Sequence, residues 1–345
     1  MTTVAGVDAA AVTAWVSSRL PGVRPPLRFE PIAGGRSNLT YRVADAAGAT
    51  LVLRRPPLHG VLASAHDMAR EHRILAGLHG TPVPVPRPLA LCDDPQVNGA
   101  PFYLMEHVDG VVPRDEATVA AALDEAGRRR AAASLVEVLV ALHAVDPDEV
   151  GLGQLGRREG YLQRQLARWQ RQLEQSRTRE LPALEEAHRR LVADVPAQVG
   201  PARLVHGDYR LDNLVLSPAG RVRAVLDWEL CTLGDPLADV GLLLVYWSEP
   251  DDPAIPLGAA PTTLPGFPTR AELATAYAEG SGRDLGQLDY YVAFGYWKLA
   301  AILEGVYARY RAGAYGSGDQ SWRELGGSVL ELAELAVQAA ARAGR

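Results

Sequence analysis

The sequence predicts an α+β chain of two unequal lobes, a small strand-rich one followed by a larger helical one. Three observations carry this. Residues 27–57, "LRFEPIAGGRSNLTYRVADAAGATLVLRRPP", read as strand, glycine turn, strand, short turn and strand, closed by Pro56 and Pro57. After Gly110 the period becomes helical, beginning with "ATVAAALDEAGRRRAAASLVEVLVALHAV". Inside that helical half, "ARLVHGDYRLDNLVLSPAGRVRAVLDWE" reads as strand, loop, strand, a turn at "SPAG", and strand.

The remaining elements follow from the same periodicities. Val7 to Leu20 has helical spacing, and "PGVRPP" ends it. "SAHDMAREHRILAGLHG" is a helix with Ser64 as candidate N-cap and Gly77 or Gly80 near its end. "VPVPRPLALCDD" and "APFYLMEHVDG" add two short extended segments. Residues 1–107 therefore form the small N-lobe and residues 108–345 the C-lobe, with a hinge near Glu106 to Gly110. In the C-lobe, "YLQRQLARWQRQLEQSR" and "LPALEEAHRRLVADV" are further amphipathic helices, and the chain is helical again from Asp235 onward. A Pro/Gly-rich excursion from Glu249 to Pro268 interrupts it and reads either as a lid or as a surface loop. Arg128, Arg129 and Arg130 read as a solvated face.

Size and composition bound the function. A chain of 345 residues with 48% apolar and 22% charged residues buries a substantial core. A net charge of −6 and a pI near 5.8 argue against a nucleic-acid partner. The basic residues are almost all arginine; Lys298 is the chain's only lysine. Two cysteines, Cys92 and Cys231, are too few for a disulfide framework or a zinc cluster. No signal peptide and no long apolar run is visible, so the expectation is a cytoplasmic protein with no membrane partner, monomer or homodimer.

The chemistry-bearing stretch is His206 to Asn213, "HGDYRLDN", followed by "LDWE" at 226–229. Mg²⁺ prefers oxygen ligands, usually one or two from protein with phosphates and water completing the shell. Asn213 and Asp227 sit at the two ends of a strand-turn-strand unit, which can bring both oxygens to one edge. Asp208, five residues before Asn213, can accept or orient a hydroxyl proton, and Arg210 can neutralise a transferring phosphoryl group. The competing reading is turn chemistry, in which Asp and Asn bond to nearby backbone. That reading suits Asp212 and Asp235; the Asp208, Asn213 and Asp227 pattern favours the metal and phosphate chemistry.

"HGDYRLDN" with "LDWE" closely resembles the catalytic and metal motifs of the aminoglycoside phosphotransferase-like (choline kinase-like) enzymes, which share the protein-kinase fold. The resemblance extends over nearly the whole chain. It implies a protein-kinase-like bilobal fold, ATP and Mg²⁺ as cofactors, Asp208 as catalytic base, and Asn213 and Asp227 as metal ligands. "GDPLADVG", with Asp235 and Asp239, resembles the segment that braces the loop. By the same resemblance, Gly34, Gly35, Ser37 and Asn38 in "AGGRSNLTYRV" form the phosphate-approaching turn. Arg54 in "TLVLRR" stands where kinases carry the third-strand lysine, with Glu71 as its helix partner. Glu106 and Val108 fall on the adenine-facing hinge. Arginine at position 54 is a departure, since its fork places charge differently from a lysine.

The acceptor implied is a small hydroxylated molecule. The chain ends "LAVQAAARAGR", without the acidic cluster that suits a polycationic aminoglycoside. "HGDYRLDN" with arginine on the third strand is similar to the kinase-like domains associated with acyl-CoA dehydrogenases, some of which resemble kinases of hydroxyacyl-CoA thioesters. Lys298, Arg309 and Arg311 on "YYVAFGYWKLAAILEGVYARYRAG" would suit an anionic acceptor, with Trp247 beside them; the alternative is a core helix whose cations are paired or snorkel. The expected function is an ATP/Mg²⁺-dependent small-molecule O-phosphotransferase. Two alternatives are an antibiotic (aminoglycoside or macrolide) O-phosphotransferase and a non-catalytic nucleotide-binding kinase-fold module.

Overall fold

A computed structural model describes residues 4–32, 38–58, 67–252, 260–312 and 322–344. The N-lobe opens with helix α1 (Ala9–Arg19), capped by the Asp8 carboxylate, which accepts from the Ala11 amide. Strands β1 (Arg28–Pro31), β2 (Leu39–Ala44) and β3 (Thr50–Arg55) follow, then α2 (Met68–Leu78), β4 (Pro88–Cys92), the single turn α3 (Pro95–Asn98) and β5 (Phe102–Glu106). The five strands form one antiparallel sheet in the order β1-β2-β3-β5-β4. The cap of α2 is Asp67, whose side chain accepts from the Arg70 amide; the expected Ser64 lies outside the described residues. An acidic cap is favoured at that helix start by the positive end of the dipole.

Strand alternation decides what each face of the sheet meets. Phe29, Tyr41, Val43, Leu53, Phe102 and Leu104 pack on one face against Val12 and Val16 of α1. Val52, Tyr103 and Met105 point to the other face, into a core continuous with α2 and the C-lobe. Arg54 has the parity of Val52 and so faces α2 and the C-lobe. Arg55 has the opposite parity and donates to the Gly6, Pro56 and Asn98 carbonyls.

Beyond the hinge the C-lobe runs through α4 (Glu116–Ala122), α5 (Glu125–Ala144), α6 (Tyr161–Ser176) and α7 (Pro182–Ala193). Strands β6 (Arg203–Val205), β7 (Leu214–Leu216), β8 (Val222–Val225) and β9 (Thr232–Gly234) come next, then α8 (Leu237–Tyr246), α9 (Arg270–Ser281), α10 (Leu288–Arg311) and α11 (Trp322–Ala343). β6 pairs with β9 and β7 with β8, both antiparallel. The chain crosses between lobes at Val111, which exchanges both backbone hydrogen bonds with Leu216 of β7. Helix α10, buried over most of its length, lies among α6, α7, α8 and α11. The excursion after Glu249 falls partly on residues 253–259, outside the described residues. Its flanks are fastened: Arg270 pairs with Glu249 and Asp252, and Trp247 Nε1 donates to the Pro268 carbonyl at 2.8 Å.

Candidate active site

The hairpin of β7 and β8 sets the first half of the site. Leu214 opposes Val225, and the ladder continues one residue outward, where the Leu226 amide donates to the Asn213 carbonyl at 2.8 Å. Asn213 and Asp227 therefore emerge at the same end of the hairpin. Asp227 takes φ +63°, a left-handed conformation rare outside glycine, which turns its carboxylate out of the strand direction. Holding a non-glycine residue there costs of order 1–3 kcal/mol, the kind of cost that clusters at functional sites.

Asn213 is oriented by its own loop. Its Nδ2 donates to the Asp208 carbonyl at 2.9 Å and to Asp208 Oδ2 at 3.0 Å, which leaves the amide oxygen as the outward atom. An amide oxygen and the one-third-exposed carboxylate of Asp227 form a hard-oxygen pair, which fits Mg²⁺ completed by phosphate oxygens and water. Asp208 is further flanked by Arg210, whose Nε lies 3.3 Å from Oδ2 and whose Nη2 reaches Asp212 at 3.1 Å. The Arg210 guanidinium stacks 4.8 Å over the Tyr246 ring. Burial opposes the Arg210 charge, but Asp208, Tyr246 and Asp212 together outweigh it, so this cation is held more firmly than a free arginine. Burial raises the Asp212 carboxyl against the pull of Arg210, the cation it pairs with.

Beneath the loop lies a buried brace. Asp239 of α8 accepts from the His206 amide at 2.6 Å and the Gly207 amide at 2.8 Å. It also lies 3.3 Å from His143 Nε2, and His143 Nδ1 is 2.7 Å from the Tyr277 hydroxyl. Burial pushes the Asp239 carboxyl up, yet its contacts with His143, His206 and Gly207 more than offset this and hold it low. Asp235 accepts from the Tyr291 hydroxyl at 2.7 Å and from the Leu237 amide at the start of α8.

The N-lobe supplies the opposing half. Arg54 projects from β3 to meet Glu71 of α2 (Nε–Oε2 2.9 Å) and Asp227 (Nη2–Oδ1 2.5 Å), with Glu229 at 3.9 Å. The Glu71 approach lacks hydrogen-bond directionality at Nε, so it is an ion pair. Asn38 Nδ2 donates to Glu71 at 3.0 Å and Glu229 at 3.1 Å, and the Tyr103 hydroxyl donates to Glu71 at 3.0 Å. Burial works against the Arg54 cation, but Asp227 and Glu71 together keep it firmly protonated. Burial raises the Glu71 carboxyl despite Arg54. One forked side chain thus links the third strand, the following helix and the loop that carries Asp227.

The other expected positions divide clearly. Gly34, Gly35 and Ser37 lie outside the described residues. Glu106 ends β5, its amide bonded to the Arg87 carbonyl at 2.9 Å, and Val108 lies half-buried in the crossing to the C-lobe. Trp247 is 1% exposed and hydrogen-bonded to Pro268, so its ring belongs to the core and offers no face to an acceptor. Lys298 is also buried: its Nζ donates to the Gly207 carbonyl at 2.8 Å, which corrects the expectation of a free acceptor-binding cation. Arg309 lies exposed near the end of α10, about 16 Å along the axis from Lys298, and is not gathered at the loop. His143 and Tyr246 join the site without a sequence signal of their own, and Glu229 closes the "LDWE" motif.

The profile of the phosphotransferase enzyme family (APH) matches residues 28–291. The chain belongs to this family. A solved chain from Ralstonia eutropha jmp134, assigned provisionally to the aminoglycoside phosphotransferases, is 33% identical with a TM-score of 0.82, covering 97% of this chain and 99% of that one. The macrolide 2'-phosphotransferase MphH of Brachybacterium faecium shares the fold at 23% identity and a TM-score of 0.59, over 92% of this chain and 97% of its own. Acyl-CoA dehydrogenase family member 11 of Rattus norvegicus is 34% identical over 97% of this chain and 43% of its own length. Family member 10 of Mus musculus is 36% identical over 92% of this chain and 30% of its own. The chain thus spans less than half the length of these two relatives. Family membership and the bilobal α+β fold agree with the resemblance carried by "HGDYRLDN" and "LDWE".

Proposed function

We propose that this phosphotransferase-family chain transfers the γ-phosphoryl group of ATP, with Mg²⁺, to a hydroxyl group of a small molecule. The observation that carries it is the convergence of Asp208, Asn213, Asp227 and Arg54 from two lobes at one cleft edge. In this reading Asp208 accepts the acceptor's hydroxyl proton as its oxygen bonds to the γ-phosphorus, and the bond to the bridging oxygen breaks to release ADP. Asn213 holds Asp208 in place, and its amide oxygen, with the Asp227 carboxylate, would hold the metal, which when bound would supply charge neutralisation on the nucleotide phosphates. Arg54 binds the α/β-phosphates, and Arg210 stabilises charge on the transferring group.

For the acceptor, a hydroxyacyl-CoA or a related anionic metabolite is the reading we favour over an aminoglycoside. The names of the acyl-CoA dehydrogenase relatives support it, as does the cation Arg210 beside Asp208. Isothermal calorimetry separates the assigned roles. Asp208→Ala is expected to bind Mg-ATP within about threefold of wild type while losing 10²–10⁴-fold in turnover, roughly the contribution of a general base. Asp227→Ala is expected to weaken Mg-ATP binding itself by at least about tenfold. Equal nucleotide binding in the two variants contradicts the division of labour.

A further inference from the structure

Lys298 is the chain's only lysine, it is 5% exposed, and it sits in the middle of an otherwise apolar stretch of α10. An ammonium in a core is costly unless it is compensated, and a leucine would fill the same helix position without that cost. The compensation present is specific. Nζ donates to the Gly207 carbonyl at 2.8 Å and lies 5.7 Å from the centre of the Trp169 ring on α6. Burial lowers the Lys298 ammonium from its ordinary value, and the fields of Asp208 and Asp239 oppose that shift.

Gly207 is the residue immediately before Asp208, and its backbone is held from both sides. Its amide and that of His206 are bound by the Asp239 carboxylate; its carbonyl is bound by Lys298. Its φ is +84°, and a Cβ there would lie 2.9 Å from the Leu230 carbonyl oxygen, so both conformation and space restrict the position to glycine. A glycine in a left-handed turn has no side chain to fix it. Two buried side chains of opposite charge fix it instead.

We propose that Lys298 is a positioning residue for Asp208: clamped against the Gly207 carbonyl opposite Asp239, it sets the backbone from which the carboxylate projects. This rests on the reading of Asp208 as the base. It gives the lysine a role behind the reacting centre, in place of contact with an acceptor. Arginine keeps the charge, so Lys298→Arg is the conservative variant; Lys298→Met keeps the length and removes the charge.

Two measurements on the full chain test this. In Lys298→Met, kcat for Mg-ATP-dependent transfer is expected to fall by about 100-fold, the size of effect a misplaced reacting group produces, with KM for ATP within about twofold. Lys298→Arg is expected to recover at least about tenfold of that loss. In parallel, backbone amide exchange across His206–Asn213 is expected to quicken in Lys298→Met and to return toward wild type in Lys298→Arg. Where methionine prevents folding, Lys298→Gln supplies the uncharged variant, with the same losses expected. A folded uncharged variant with wild-type kcat, or with wild-type loop protection, overturns the proposal. Should wild type itself transfer no phosphoryl group, the base assignment fails, while the exchange measurement still decides whether the clamp exists.

Discussion

At the scale of single residues, the arginine at position 54 does what a lysine cannot. A point charge on a flexible stem reaches one carboxylate well; the guanidinium fork meets Glu71 and Asp227 together. Arg54→Lys is therefore expected to raise KM for ATP roughly tenfold, an apparent loss of about 1.4 kcal/mol, with kcat changed less. Steady-state kinetics at saturating acceptor checks it, and an unchanged KM would remove the reason for the fork. Asp239 offers a prediction in pH. Its folded carboxyl lies below the ordinary value of about 3.9, so its stabilisation is complete above that value and is lost as pH falls through the lower folded one. Asp239→Asn is expected to cost about 3 kcal/mol at neutral pH, with the gap from wild type constant from pH 5 to 8 and closing below about pH 4. Urea titrations across that range measure the gap. Of the residues at the cleft, Asp208, Asn213 and Asp227 stood out by motif spacing, and Arg54 and Glu71 only through the family resemblance. His143 did not, because a histidine in the last turn of an amphipathic helix looks like any other core residue.

At the scale of elements, the helix bearing Glu71 is tied to the C-lobe by its neighbour. Arg70 donates through Nη1 to the Leu155 carbonyl at 2.9 Å and through Nη2 to the Cys231 carbonyl at 2.7 Å. Because Arg70 and Glu71 are consecutive, this contact fixes the face that Glu71 turns to Arg54. Arg70→Met is expected to lower stability by about 2–4 kcal/mol, two hydrogen bonds from a charged donor, and to raise KM for ATP several-fold. Thermal melting with ATP kinetics tests both; a KM that stays put would separate helix anchoring from the nucleotide site. The amphipathic helices were legible in sequence because one face of each is wet, and the strands because short apolar runs stand between turn residues. Helix α10 was legible as a helix but not in the face it buries, since "YYVAFGYWKLAAIL" is apolar nearly all round and its period selects no face. That is why Lys298 stood as an acceptor candidate beside its core alternative; Trp247, which follows α8, is core as well.

At the scale of the molecule, function resides in the meeting of lobes. Arg54 and Asn38 come from the N-lobe, and Asp227 and Glu229 from the C-lobe; their direct bonds cross the cleft. Sequence motifs named both halves, but the distance between them depends on packing that no local pattern encodes. The fold and family are settled by the whole chain. The most direct measurement incubates wild type and Asp208→Ala with ATP, Mg²⁺ and a panel of hydroxyacyl-CoAs, sugars, aminoglycosides and macrolides, with products read by mass spectrometry. Wild type is expected to yield a phosphorylated acceptor and ADP, and Asp208→Ala at least about 100-fold less of both. A phosphorylated product formed equally by both proteins, or nucleotide bound tightly by wild type with no acceptor phosphorylated, would contradict it.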